Sequence, residues 1–232
     1  LVVAACGNSR NEGIYYPASY PGVVSVLASN QYNHKWEGST YGYRIDIAAP
    51  GQSIYSTAFG NTYSTSSGTS NAAPIIGGAA AIISFLRPHL TPAQIAAQLK
   101  ATAYWLDSLP ANVPYSNKLG AGRVDLFLAL SDTNTFYVDL AADIIEAPEA
   151  LPGETHKLTG SMKNLLKTKK SIFVSVSALS EFVSVTNGSF SVNSWETNQT
   201  IQLGDYNVPL GFASNAPLDL EVPVKFTFST SG

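Results

Sequence analysis

The sequence predicts two domains of different class, an α/β domain over residues 1–132 and an all-β sandwich over residues 133–232. Three observations lead to this prediction. Up to residue 131, short apolar runs typical of buried strands alternate with segments of helical character. From Phe136 onward no segment has a helical period, and turn signals separate short alternating strands. The first pattern favours a largely parallel sheet covered by helices, and the second favours antiparallel sheets.

In the first domain, the apolar runs and capping signals define the elements in order. Strands are predicted at 1–5, 23–28 and 43–48, and helices at 70–86, 91–103 and 124–130. The second of these helices has the clearest start: Thr91 is a capping residue, Pro92 takes the first helical position, and Gln94 is the reciprocal partner of Thr91. Pro88 ends the helix before it.

In the second domain, the predicted strands are 136–144, 171–177, 183–185, 200–203 and 218–228. Turn signals stand between them at Pro152-Gly153, Asn187-Gly188 and 215–217. This spacing is typical of an immunoglobulin-like sandwich, and we expect the sandwich to be incomplete. We see no catalytic cluster in it.

Composition and charge exclude several classes of protein. Hydrophobic residues make up 45% of the chain and charged residues 12%, which is a globular composition. A net charge of −3 gives no basic surface for a nucleic acid. No apolar run reaches the 18 residues of a membrane span, and a single cysteine allows no intrachain disulfide. No residues have metal-ligand spacing, so no metal site is predicted.

The sharpest chemical feature is Gly68-Thr69-Ser70 at the start of a small-residue helix. A nucleophilic serine needs an exposed hydroxyl on a tight turn, and the glycine lets a substrate backbone approach. The amino end of the helix adds positive potential where an oxyanion develops. The residues alone leave an alternative open, because serine is also a common N-cap.

Six ordered blocks then resemble the subtilase family of serine peptidases. GTSNAAPIIGG (68–78) is similar to the family's nucleophile block GTSMAAPHVAG, and VVAACGN (2–8) to its oxyanion block VVAAAGN. The other four blocks are YPASYPGVVSV (16–26), IDIAAPG (45–51), LTPAQI (90–95) and GAGRVD (120–125). Two departures adjoin or follow the serine: Asn71 stands where the family has Met, and Ile75 where it often has His.

The resemblance implies a role for each matching residue. Ser70 would be the nucleophile, and the Asn8 amide and the Ser70 backbone N–H would hold the oxyanion. The residues that would line the substrate pocket are Ala5, Cys6, Gly7, Tyr15, Gly68 and Thr69. We expect the Cys6 thiol itself to be buried and inert, since it follows an apolar strand.

The same resemblance implies what the sequence lacks. Subtilases order their triad Asp, His, Ser, and the first two precede the oxyanion block with which this sequence opens. His34, His89 and His156 have none of the context of the family's base. We therefore expect this chain to be part of a longer protein, missing the first half of the catalytic domain, and to be inactive alone.

The resemblance implies that the intact protein hydrolyses polypeptides through an acyl-enzyme, without a cofactor. It also implies that the protein is secreted or extracellular. A weak structural calcium could bind backbone carbonyls of Ala18, Tyr20 and Val23, as in some subtilases. The alternative is a pseudoprotease or binding module that uses the fold without turnover, with the sandwich as an adhesive domain. The discriminating feature is whether the missing segment carries the Asp and His blocks.

Overall fold

A parallel sheet of three strands, in the order β1-β2-β3, organises the first part of the chain. The computed structural model describes residues 1–140, 151–218 and 221–230. They form two compact units, Leu1–Thr135 and Phe136–Gly232. In the first unit the strands are β1 (Val2–Ala5), β2 (Val23–Ser29) and β3 (Ile47–Pro50).

The third strand is shorter than the predicted 43–48. The segment before it turns, because the Ile45 N–H donates to the Gly42 carbonyl at 3.3 Å. The strand therefore begins only at Ile47. Central strand β2 separates two cores: Val24 and Val26 face one cluster, and Leu27 faces the other. A buried central strand of this kind is typical of a parallel sheet covered on both faces.

Three α-helices belong to this unit, and their starts agree closely with the sequence. They are α1 (Thr69–Leu86), α2 (Pro92–Ala101) and α3 (Leu126–Ser131), with a 3-10 helix at Pro110–Tyr115. The capping box of α2 is confirmed, because Thr91 and Gln94 bond each other reciprocally. Helix α3 starts two residues later than predicted, since the Asp125 side chain caps it.

Helix α1 packs along the sheet through a face of alanine and isoleucine side chains. Ala72, Ile76 and Ile83 are fully buried in the core that contains β2 and β3. By length and composition alone this 18-residue helix could cross a membrane. Its packing against the strands is that of a core helix, which agrees with the prediction that no segment spans a membrane.

A hairpin that the sequence reasoning missed connects the sheet to α1. It consists of β4 (Ile54–Ala58) and β5 (Thr62–Ser66), paired antiparallel, and every residue of β5 is exposed. Gly60 and Asn61 at its tip have φ of 77° and 56°. The Gly60-Asn61 pair is a turn signal that could have indicated this hairpin.

The second unit is antiparallel throughout its described strands. Its three sheets have the orders β11-β9-β14, β12-β8-β6 and β10-β13-β7. The strands are β6 (Val138–Leu140), β7 (Thr155–Lys157), β8 (Ser161–Asn164), β9 (Lys169–Ala178), β10 (Val183–Val185), β11 (Ser189–Trp195), β12 (Thr200–Gln202), β13 (Pro209–Phe212) and β14 (Val224–Thr230). The specific immunoglobulin-like arrangement stays a prediction.

Two predicted strands of this unit differ from the observed ones. The strand predicted at 136–144 covers 138–140, and residues 141–150 lie outside the described residues. The strand predicted at 218–228 begins at Val224, with residues 219 and 220 outside the described part. The centre of the core is Trp195, fully buried, with its indole N–H donating to the Gln199 carbonyl at 3.0 Å.

Candidate active site

Ser70 lies in the first turn of α1 with its residue surface exposed. The helix begins at Thr69, so Gly68 is the N-cap residue and makes no side-chain capping bond. Ser70 is therefore not an N-cap serine, which was the alternative that the sequence left open. The Gly68 N–H donates to the Gly51 carbonyl at 2.8 Å and fixes the turn to the end of β3.

The side chain of Asn8 reaches the same turn from the loop after β1. Its Oδ1 accepts two hydrogen bonds from Thr69, from the backbone N–H and from Oγ1, both at 2.9 Å. Thr69 is itself 1% exposed, so both donors are held in place. With Oδ1 engaged on both sides, the Nδ2 group of Asn8 is the end of the amide left to donate elsewhere.

Three groups converge on Gly68. A methyl group added at its Cα would lie 2.9 Å from Ser70 Oγ, 3.6 Å from Asn8 Nδ2 and 3.7 Å from the Ser70 backbone N. One hydroxyl and two N–H donors thus surround a space that only a glycine leaves open. The amino end of α1 adds its dipole there, and its first turn contains no acidic residue. A nucleophilic oxygen beside two donors is the arrangement that stabilises a tetrahedral oxyanion.

The predicted pocket wall, 5–7, follows directly from β1. Ala5 pairs with Val26 in the sheet, and Cys6 is 2% exposed in the core behind it. Cys6 Sγ lies 3.3 Å from the Thr40 carbonyl oxygen, and burial raises the pKa of the thiol to about 11. The thiol is buried, as predicted, so Cys6 can face a substrate only through its backbone. Gly7 has a φ of 110°, a conformation that side-chain-bearing residues rarely adopt.

Tyr15 lies against this wall. Its ring atoms are 3.5 Å from where a side chain on Gly7 would start, and 2.8 Å from the same point on Gly13. The ring is partly exposed, and its hydroxyl donates to Asn11 Oδ1 at 3.4 Å. The structure thus brings Tyr15 beside Gly7, and a bulky ring bounds the space next to the predicted wall.

The residue after the nucleophile connects the helix to the hairpin. Asn71 Nδ2 donates to Ser66 Oγ at 3.0 Å, and the Ser66 hydroxyl is 3.2 Å from Asn71 Oδ1. Strand β5 ends at Ser66, so these hydrogen bonds connect the hairpin to the first turn of α1. The sequence showed Asn71 only as a departure from the family and did not indicate this contact.

No histidine bonds Ser70 among the residues that the structure describes. His156 belongs to the second unit, where its Nε2 lies 2.8 Å from Glu154 Oε2; this hydrogen bond lowers the pKa of Glu154. The His34 ring lies 5.9 Å from the Tyr32 ring in a tilted arrangement, and His89 is exposed beyond α1. The described residues therefore place a serine hydroxyl beside two N–H donors, with no histidine bonded to that hydroxyl.

The described residues also contain no group of three metal-ligating side chains. In the predicted calcium loop, the Tyr20 carbonyl already accepts the Val23 N–H at 3.1 Å. Asp46, from the start of β3, is engaged by the Ser25 N–H at 2.9 Å and by Lys100 Nζ at 3.1 Å. A cation in the loop would therefore rely on carbonyls and water.

Comparison with known proteins identifies relatives of the first unit. The profile of the subtilase family, peptidase family S8, matches residues 1–135. A thermostable alkaline protease of Halalkalibacterium halodurans is 43% identical over 108 residues, covering 47% of this chain and 30% of that protein. Subtilisin BL of Lederbergia lenta is 42% identical over 125 residues, covering 54% of this chain and 44% of that protein.

A solved structure agrees with these relatives. The prenylagaramide maturation protease PagA is 29% identical with a TM-score of 0.51, over 56% of this chain and 49% of that one. The chain thus spans less than half the length of each of these proteins.

Proposed function

The chain belongs to the subtilase family, and from this premise we propose that it supplies the nucleophile and the oxyanion site of a serine endopeptidase. The convergence of Ser70 Oγ, Asn8 Nδ2 and the Ser70 N–H on the open space at Gly68 is the observation that carries this proposal. The relatives named as proteases support peptide bonds as the class of substrate.

In the proposed reaction, Ser70 Oγ attacks the carbonyl carbon of the scissile bond while a base takes the hydroxyl proton. The carbonyl oxygen becomes an oxyanion, which accepts hydrogen bonds from Asn8 Nδ2 and the Ser70 N–H. Collapse breaks the C–N bond, and the amine leaves with the proton from the base. Water then hydrolyses the acyl-enzyme by the same steps and restores the Ser70 hydroxyl.

Thr69 acts on this reaction through Asn8. Its N–H and hydroxyl both donate to Asn8 Oδ1 at 2.9 Å, and they therefore orient the amide with its Nδ2 toward the oxyanion. A donor fixed before the reaction stabilises the transition state without reorganisation at that moment. Thr69 is in this sense a positioning residue.

The base and its aspartate partner would come from further polypeptide that covers the open surfaces of the first unit. Ile75, Ile82 and Phe85 form an exposed apolar stripe on α1, with Phe85 84% exposed. Strand β1 pairs only with β2 among the described residues. A polypeptide segment that carries the Asp and His blocks of the family would fit both surfaces, and the 232 residues alone would be inactive without such a segment.

The position of Tyr15 supports a pocket for small or medium side chains. Its ring occupies space beside Gly7, at the predicted pocket wall. An extracellular location follows by family resemblance. The chemistry needs no cofactor, and calcium, if bound by Ala18, Tyr20 and Val23, would be structural and weak.

A fluorophosphonate probe, which labels activated serines, tests the proposal. The full-length protein should be labelled at Ser70, and Ser70→Ala should abolish the labelling. The 232-residue chain should remain unlabelled, because no base reaches Ser70.

The lack of a histidine beside Ser70 favours one alternative, a pseudoprotease that binds without turnover. An unlabelled full-length protein that still binds peptides would support that alternative. Labelling of the chain alone would contradict the proposed missing base.

A further inference from the structure

The sheet β11-β9-β14 of the second unit has one apolar face and one polar face. On β9, Ile172 and Val174 are fully buried while the residues between and beside them point outward. The outward side chains around Phe173 form what we call the hydroxyl face. They are Ser171, Phe173 and Ser175 on β9, Ser191 and Asn193 on β11, and Ser229 on β14.

Phe173 stands in the middle of this face. In the register of the sheet it lies between Ser191 on one side and Ser229 on the other. It is 48% exposed, and among the described residues of the second unit it is the only exposed aromatic side chain. A single exposed apolar residue needs no explanation by itself, but this ring is surrounded by polar groups rather than by other apolar ones.

The face is also concave near Phe173. A cavity of about 540 Å³ is lined by Ser171, Phe173, Ser191, Asn193 and Ser229, together with Ile172, Val192 and Thr230. Strand β9 is kinked in its wall, because Ser171 has a φ of 53°, which is rare for a residue other than glycine. The volume lies within the range of about 300–1,000 Å³ that ligand sites occupy.

The polar groups of the cavity are available to a ligand. Within the described part of the chain, the side chains of Ser171, Ser191 and Asn193 make no hydrogen bond. The Ser229 hydroxyl donates weakly to the Phe173 carbonyl, at 3.4 Å, and keeps its lone pairs free. The six residues carry no charge and so offer no counter-charge to a phosphate or a carboxylate. The exposed Lys225 lies further along the sheet, in register with Ser177.

We propose that the hydroxyl face binds a neutral polysaccharide. A pyranose ring has an apolar C–H face that can stack on Phe173 and equatorial hydroxyls that can exchange hydrogen bonds with the surrounding serines and Asn193. The concave surface around Phe173 is open to solvent and leaves room for an extended chain of such rings. The site is distinct from the one at Ser70 and does not depend on the peptidase activity.

Retention of the full-length protein on microcrystalline cellulose and on chitin beads tests this proposal, with gelatin beads as the protein arm. Wild type should be retained on at least one polysaccharide. Phe173→Ala should weaken binding about tenfold, the loss of one aromatic stacking contact. Phe173→Trp should keep or strengthen it, because the ring remains.

The control is Phe59→Ala, which removes a fully exposed phenylalanine in the first unit. It should leave retention unchanged, with far-UV circular dichroism confirming that each variant is folded. Absence of retention on both polysaccharides would overturn the proposal, and so would an equal loss in Phe59→Ala. Binding to gelatin alone that depends on Phe173 would also overturn it, in favour of a protein ligand.

Discussion

The two units differ in how much large apolar surface they leave in water. Among the described residues, twenty of the 23 exposed large apolar side chains belong to residues 1–135, and the other three are Leu151, Phe173 and Leu218. The second unit buries its aromatic side chains around Trp195, with Phe136 and Phe228 in edge contact at 6.0 and 6.2 Å. The first unit has a packed core on each face of its sheet, and the rest of its surface exposes many large apolar side chains to solvent.

This difference follows from how the sheets are built. Antiparallel sheets pack against one another and can leave their outer faces polar, as the alternation on β9 does. A parallel sheet grows by adding strands and the helices that cover them. Among the described residues, β1 has a partner strand on one edge only. The open surface of the first unit is therefore the surface on which the further polypeptide of our proposal would pack.

The largest effect that would test this difference between the two units is expected from removal of the proposed nucleophile. Ser70→Ala in the full-length protein should lower kcat by about 10⁶, the scale known for subtilisin itself. Thermal unfolding of the second unit should not change. Peptide hydrolysis and calorimetry on the same sample would measure both. Appreciable residual turnover would assign catalysis to another group.

A cavity in the core of the second unit should lower that unit's stability and leave the activity of the first unit unchanged. Trp195→Ala removes a fully buried indole and should cost roughly 3–5 kcal/mol of that unit's stability. Calorimetry of the second unit's transition would measure the loss, because Trp195 is the only tryptophan of that unit and its removal leaves no indole fluorescence there. Hydrolysis by the full-length protein should persist under native conditions, and a parallel collapse of kcat would show that the two units fold as one.

Removal of one proposed oxyanion donor should lower kcat less than removal of Ser70 does. Asn8→Ala should lower kcat by roughly 10²–10³ with little change in KM, since the donor acts in the transition state; the factor is that known for subtilisin. Asn71→Ala is the matched control and should lower kcat far less, because its amide bonds Ser66. Equal effects of the two substitutions would remove Asn8 from the proposed role.

Much of the first unit was predictable because its signals are local. The capping residues of α2 and the apolar runs of β1 and β2 placed those elements correctly. Ser70 and Asn8 were singled out by motif, and the structure places both at Gly68. Their roles in catalysis stay predictions.

What the sequence did not reveal depends on contacts distant in the chain. Thr69 and Asn8 are 61 residues apart, and nothing in either segment indicates the double hydrogen bond between them. The hairpin was missed because its polar strands bury no side chain, so it has no apolar period to read. In the second unit the apolar alternation is weak and the strands are short, so the predicted strand ends were inaccurate. The strand that starts at Val224, for example, was predicted to start several residues earlier.

The buried thiol gives a pH-dependent test confined to the first unit. Burial raises the pKa of Cys6 from 9.0 to about 11, so the folded state keeps its proton where the unfolded state loses it. The contribution of the protonated Cys6 thiol to the free energy of unfolding is fully present below pH 9. It is lost as the pH rises toward 11, by about 3 kcal/mol at most.

Urea unfolding of the full-length protein at pH 8, 9, 10 and 11 under reducing conditions would measure this loss. Cys6→Ala should flatten the profile of the first unit. Lys35, whose pKa burial lowers, acts in the opposite direction; because the Cys6 charge raises the Lys35 pKa, Cys6→Ala removes that coupling as well. An identical slope in wild type and variant would show that Cys6 ionisation does not contribute.

The smallest expected effect concerns the cap of α2, and it asks whether the units unfold separately. Thr91→Ala removes the oxygen that accepts the Gln94 N–H at 3.3 Å and should cost about 1 kcal/mol. Thr91→Ser keeps the hydroxyl and should restore most of the loss. Because the cap lies in the first unit, only that unit's transition should shift in calorimetry of the full-length protein, by a few degrees at most. A shift of equal size in the transition of the second unit would mean that the two units stabilise each other, and the division drawn from their exposed surfaces would then describe their packing but not their folding.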